Sequence, residues 1–197
     1  MKKITALLLA LLLSVSVFTA CGGDEKPADP EGDAGVDTPV DKDSTYDVGE
    51  FTVTVPDGWL AVPVKDTFGA DPSANRTDKI ILYKGAKSEY DIFDKPTIDI
   101  VFYDEVEGVM PFKDLYENAA DIEAFTAGEH NWTGFTGEAG GGNKLILLWD
   151  DAGDLEYQVT IWPYDDADVT IENETVKKII GSIKPTKSVE ASTEASE

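Results

Sequence analysis

Leu155-Glu156-Tyr157-Gln158-Val159-Thr160-Ile161-Trp162 is the stretch on which the fold turns. Leu155, Tyr157, Val159 and Ile161 alternate with Glu156, Gln158, Thr160 and Trp162. Successive side chains of a strand point to opposite sides, so this period of two predicts a strand with one buried and one wet face. Such a strand belongs in an antiparallel sheet, because parallel sheets are covered on both faces. Upstream, Asp150 to Asp154 holds Asp151-Ala152-Gly153, a hairpin turn that leads back to a strand from Lys144 to Trp149.

Farther out the same reading places strands at His130 to Thr136, Thr97 to Tyr103 and Lys79 to Lys84. In the second of these, Ile98, Ile100 and Phe102 alternate with Asp99, Val101 and Tyr103. Phe51, Val53 and Val55 share one face of a first strand that stops at the turn sequence Pro56-Asp57-Gly58, and Trp59, expected in the core capping a first hairpin, opens a stretch to Val64. Two segments predict helices. Pro111 suits a first helical turn, and Phe112, Leu115, Ala119 and Ile122 form a stripe that ends before Gly128. Val176, Ile179, Ile180 and Ile183 lie at helical spacing, with Glu172 and Glu174 early, Lys177, Lys178 and Lys184 late, and Pro185 as the stop. Each helix has an apolar face to bury. The expectation is an α+β fold, a mostly antiparallel sheet of about six to seven strands covered by helices.

The opening Phe51-Thr-Val-Thr-Val-Pro-Asp-Gly-Trp59 and the closing Thr175-Val-Lys-Lys-Ile-Ile-Gly-Ser-Ile-Lys184 resemble the PsbP/Mog1-like fold of many small bacterial lipoproteins. The resemblance spans the domain from Gly49 to Pro185 and implies an α/β/α sandwich. It also implies a non-enzymatic binding or assembly role, since members of that fold act mostly as accessory proteins that hold another protein. Its motifs are structural, so no catalytic residue comes with them.

Ahead of this domain lie two segments of different character. Residues 1–20 carry Lys2 and Lys3, an apolar run from Ile4 to Val17, and then Phe18-Thr19-Ala20-Cys21. This is the layout of an export signal, shorter than the ~20 apolar residues that span a membrane. Phe-Thr-Ala-Cys resembles the bacterial lipobox, with Phe18 where Leu is commonest, and the expectation is cleavage before Cys21 and lipid on its thiol. Acyl chains contribute about 0.8 kcal/mol per buried methylene, and two or three hold where one does not. The chain is therefore expected on the outer face of a bacterial cell membrane. Residues 21–48 then form an acidic tether: from 22 to 48 there are nine Asp or Glu, two lysines and three prolines, with no apolar periodicity. As a flexible coil it reaches roughly 30 Å. Residues 186–197 read as a frayed Ser/Ala/Glu-rich tail.

Charge and composition exclude several function classes. The net charge is −23, and loss of Lys2 and Lys3 with the signal makes it more negative. Such a surface repels phosphate backbones and anionic headgroups, so nucleic acid is not an expected partner. Cys21 is the only cysteine, which leaves no internal disulfide and no thiol for catalysis. The single histidine, His130, reads as a structural or surface strand residue, and one histidine with one acylated cysteine makes no zinc site. Gly137-Glu-Ala-Gly-Gly-Gly-Asn-Lys144 misses the P-loop spacing and reads as a connection between strands. Acids gather after two strands, as Asp104, Glu105 and Glu107 and as Asp165, Asp166 and Asp168. They read as solvated loops, with a calcium-dependent adhesion module as the functional alternative. No catalytic residue, metal ligand or cofactor is expected.

That leaves Trp162 and Tyr164, flanking Pro163, as the candidate contact with a protein partner, because Trp162 falls in the wet register of its strand. A hydrolase with paired carboxylates is the enzymatic alternative, and it requires one acid in an apolar pocket with a raised pKa.

Overall fold

The computed structural model describes residues 42–103, 112–152 and 155–186. The signal, Cys21, the tether as far as residue 41, the Asp104, Glu105 and Glu107 group, Pro111, residues 153 and 154 of the hairpin turn, and residues 187–197 lie outside the described residues. Among the described residues there are ten strands: β1 (Ser44–Asp47), β2 (Phe51–Val55), β3 (Trp59–Lys65), β4 (Asn75–Lys84), β5 (Thr97–Tyr103), β6 (Glu117–Ala127), β7 (His130–Ala139), β8 (Asn143–Ala152), β9 (Leu155–Trp162) and β10 (Lys184–Pro185). One α-helix, α1 (Glu174–Gly181), lies between β9 and β10. Seven strands make one sheet in the order β3-β4-β5-β9-β8-β7-β6, and β1-β2-β10 make a second. Every pairing is antiparallel.

The period of two in 155–162 sets the register of the large sheet. Ile98, Ile100 and Phe102 of β5 stand opposite Ile161, Val159 and Tyr157 of β9, and Ile146 and Leu148 of β8 meet Ile161 and Val159 from the other side. This first face is closed by Phe51, Val53 and Val55 of β2 and by Val176, Ile179, Ile180 and Ile183 from α1 and the residues after it, all buried. Burying each such side chain contributes about 1.5–3 kcal/mol, so this layer is the main source of stability. Asn173 caps α1 by accepting from the backbone N–H of Thr175 at 2.8 Å and of Val176 at 3.3 Å. Ser182 then accepts from Thr54 N–H at 2.8 Å, which ties the helix end to β2. Gly128, at φ +62°, lies so close to α1 that a Cβ there would stand 1.9 Å from the carbonyl oxygen of Gly181.

Four expectations are corrected. The helix predicted from Pro111 to Gly128 is instead a single 3-10 turn, Lys113–Leu115, followed by the edge strand β6. Two bulges, between Glu117 and Ala120 and between Ile122 and Phe125, each add one residue to β6. The second keeps Ile122 and Phe125, three residues apart, on the same face, which imitates helical spacing in a strand. The members of that stripe point to different places. Phe112 and Leu115 are exposed, Ala119 packs on the far face, and Ile122 packs on the main core.

With one helix in place of two, the α/β/α sandwich becomes a seven-stranded sheet covered on its first face by a three-stranded sheet and α1. Residues 44–48, expected within the tether 21–48, belong to the folded domain, because β1 pairs with β2 and Tyr46 and Val48 pack on the core. Finally, Pro56-Asp57-Gly58 does not close a hairpin. It carries the chain from the small sheet to the large one, with Trp59 buried at the crossing. Among the described residues no helix is long and apolar enough to cross a membrane.

Candidate functional site

The groups that suggest catalysis most strongly are His130 and Asp150, and they lie on the first face. His130 opens β7 and Asp150 sits in β8, two positions apart in the register of the pair. Both are buried, at 6% and 3% exposure. His130 Nδ1 is 2.5 Å from Asp150 Oδ2, and Nε2 is 2.7 Å from the carbonyl oxygen of Ile183. A carbonyl only accepts, so Nε2 donates to Ile183, and Nδ1 faces the carboxyl. Asp150 Oδ1 also accepts from Asn131 N–H at 2.9 Å. The rings of Trp132 and Tyr157 pack on the imidazole, with centroids at 5.3 and 5.4 Å. The arrangement pins the segment after α1 to the large sheet and leaves neither ring nitrogen free for a substrate. Burial beside Asp150 pushes the Tyr157 hydroxyl up to about 12, so Tyr157 holds its proton throughout the ordinary pH range.

The second face differs. Phe135, Leu145 and Leu147 form a small buried cluster, with Tyr116, Trp149 and Trp162 packed partly against it. The wet face read from residues 156–162 is therefore partly apolar at this end. Beyond Trp162 the chain turns at Pro163, and Tyr164 takes φ +49°, a left-handed conformation that a bulky side chain rarely adopts. The loop behind it is wound tight. Asp166 N–H bonds Pro163 O at 3.0 Å, Asp168 N–H bonds Asp166 Oδ1 at 2.9 Å, and Val169 is fully buried. Lys84 Nζ, 2.8 Å from Asp166 Oδ2, fastens this loop to β4 and holds the Asp166 carboxyl below its ordinary value.

Tyr164 lines three open clefts. One of ≈ 520 Å³ lies between Lys84, Lys95 and the Asp165–Asp168 loop. One of ≈ 270 Å³ lies toward Asn143 and Lys144. The third, ≈ 350 Å³, is walled by Tyr83, Phe93, Trp162 and Tyr164, with Asp94 and Asp99 among its lining groups. Phe93 is 81% exposed and Tyr164 46%. Asp94, in the β4–β5 loop, shares the left-handed conformation at φ +58°. Asp99 is half-buried in β5. Lys79 Nζ lies 2.9 Å from its Oδ2, while Oδ1 is covered and has no hydrogen-bond partner among the described residues. Burial raises the Asp99 pKa against the opposing pull of Lys79. The Tyr83 hydroxyl is also raised, first by burial and then by Asp99 and Tyr164, which places these three groups within one field.

The two residues singled out in the sequence thus meet on one surface, and Tyr83, Phe93, Asp94 and Asp99 join them there. Asp99 carried a signal only in its alternation, and nothing local marked its burial. Phe93 and Asp94 reach the cleft through loop geometry. Among the described residues no group of three or more His, Cys, Asp or Glu is placed to hold a metal ion.

No family model matches this chain, and no curated protein matches it. Among solved structures it is similar to the cyanobacterial PsbP (CyanoP) of Synechocystis sp. PCC 6803, determined in solution. The two share 10% identity with a TM-score of 0.41, over 83% of this chain and 99% of that one.

Proposed function

We propose that the chain is a non-enzymatic binding or assembly module, held at the outer face of a bacterial cell membrane by lipid on Cys21, that contacts a protein partner through Trp162 and Tyr164. The observation that carries the contact is the convergence of three clefts on Tyr164, a strained aromatic at the end of a rigid strand. Strain persists where the surroundings enforce it, and such positions cluster at functional sites. The non-enzymatic reading draws on His130 and Asp150, whose polar atoms are all engaged inside the core. A photoreactive benzoyl-phenylalanine at position 164, in intact cells, tests the contact against the same probe at Phe68, an exposed turn residue elsewhere. A discrete adduct from 164 but not from 68 is expected, and no adduct from 164 contradicts the reading. The anchor is tested separately. Cys21→Ala should release the protein from the membrane fraction and abolish palmitate labelling.

A second reading, hydrolysis by paired carboxylates, is favoured by one observation: Asp99 has a raised pKa in an aromatic-walled cleft that Asp94 also lines. Against it, Asp99 Oδ1 is covered and Oδ2 is taken by Lys79. Release of soluble sugar from cell-wall glycan by the wild type but not by Asp99→Asn would establish it.

A further inference from the structure

We infer that the cleft between the β4–β5 loop and Tyr164 receives a cationic side chain, Arg or Lys, from a basic segment of the protein partner. This rests on the reading of Trp162 and Tyr164 as the contact and names the chemistry of that contact. Four aromatic rings, Tyr83, Phe93, Trp162 and Tyr164, border the cleft. The face of an aromatic ring attracts a cation through its quadrupole, with Trp and Tyr the strongest hosts. Among the residues lining it the charged groups are Asp94 and Asp99, both carboxylates. Lys79 engages one oxygen of Asp99, so the acids still exceed the cation that reaches them. An anionic partner meets repulsion there, and an apolar one leaves the excess of acid over Lys79 unbalanced.

Range and rigidity point the same way. A chain of net charge −23 steers basic partners toward itself from a distance, and the cleft supplies the local selection. The walls are held ready. The Lys84–Asp166 pair fastens the loop that carries Tyr164, and Asp94 and Tyr164, both left-handed, line the cleft from the β4–β5 loop and from the segment after β9. A preformed site loses less on binding than one that must be ordered.

The test titrates the full-length chain, in non-ionic detergent, with three capped peptides, Arg-Arg-Arg, Leu-Gly-Leu and Glu-Glu-Glu, by isothermal titration calorimetry. Arg-Arg-Arg is expected to bind and the other two to bind at least about tenfold more weakly. Tyr164→Asn removes a ring and keeps a residue that tolerates the left-handed backbone. It should weaken Arg-Arg-Arg roughly tenfold. Asp94→Asn, equally tolerant, should weaken it roughly threefold, while Glu129→Gln, an exposed acid in the β6–β7 turn, should stay within about twofold. Equal losses from Glu129→Gln and Asp94→Asn would reduce the effect to general attraction and overturn the inference. Binding of Leu-Gly-Leu that depends on Tyr164 also overturns it, while leaving the contact surface in place. If none of the peptides binds, the cation inference fails, and the photo-crosslink at 164 decides the contact surface by itself.

Discussion

The two faces of the seven-stranded sheet are built from the same strands and differ in how completely they are covered. On the first, α1 and the small sheet close the layer, and His130 and Asp150 survive burial because each of their polar atoms has a partner within 2.9 Å, while the Trp132 indole N–H and the Tyr157 hydroxyl are buried there without a hydrogen-bond partner among the described residues. On the second, a small cluster gives way to open clefts, Asp99 keeps an oxygen without a donor, and Tyr164 is held in a strained backbone. A covered, closely packed layer locks a structure, whereas open clefts bordered by a strained aromatic are the mark of a surface kept for something else. One face accounts for the stability. The other is free to carry the function.

That contrast can be broken by mutation. The largest expected effect is Trp132→Ala, which empties the centre of the first face and should cost about 3–5 kcal/mol in urea unfolding. His130→Ala should follow at roughly 3 kcal/mol, since it leaves the Asp150 carboxylate and the Ile183 carbonyl buried without their donor. A loss under about 1 kcal/mol would deny the pair its role as a pin.

Asp99 sharpens the comparison through pH. Its folded pKa is raised above the ordinary 3.8, so the folded state holds the proton more tightly than the unfolded chain. Its contribution is fully present below that value and is lost as pH rises through the folded pKa. Asp78 and Asp166 are lowered, first by Arg76 and Lys84 respectively, and work in the opposite sense, losing stability as pH falls. The Tm of Asp99→Asn relative to wild type should therefore climb as pH rises from acid to neutral. A difference that is flat or falls contradicts the burial of Asp99. The smallest effect belongs to Tyr164→Asn. Relief of the left-handed backbone offsets the lost half-buried ring, and stability should change by less than about 1 kcal/mol.

Much of this fold was legible in the sequence because alternation survives wherever strands pair without interruption. β2, β5 and β9 run from Phe51 to Val55, Thr97 to Tyr103 and Leu155 to Trp162 as the pattern predicts. The reading failed where bulges intervene, since one added residue in β6 reproduces helical spacing without helical structure. It stopped short at β1 because Ser44–Asp47 has no apolar run of its own and is ordered by pairing with β2. The site was half legible. Trp162 announced itself by register, but the ring of Phe93, the burial of Asp99 and the partnership of His130 with Asp150 depend on long-range contacts that no local pattern encodes.

The four tryptophans report on both faces at once, Trp59 and Trp132 on the first, Trp149 and Trp162 on the second. With 5-fluorotryptophan incorporated, fluorine NMR during a titration with capped Arg-Arg-Arg tests the division directly. The Trp162 resonance should move most and Trp149 less, with Trp59 and Trp132 unchanged. Movement of Trp132, or a Trp162 signal that stays still while the peptide binds, would contradict the account.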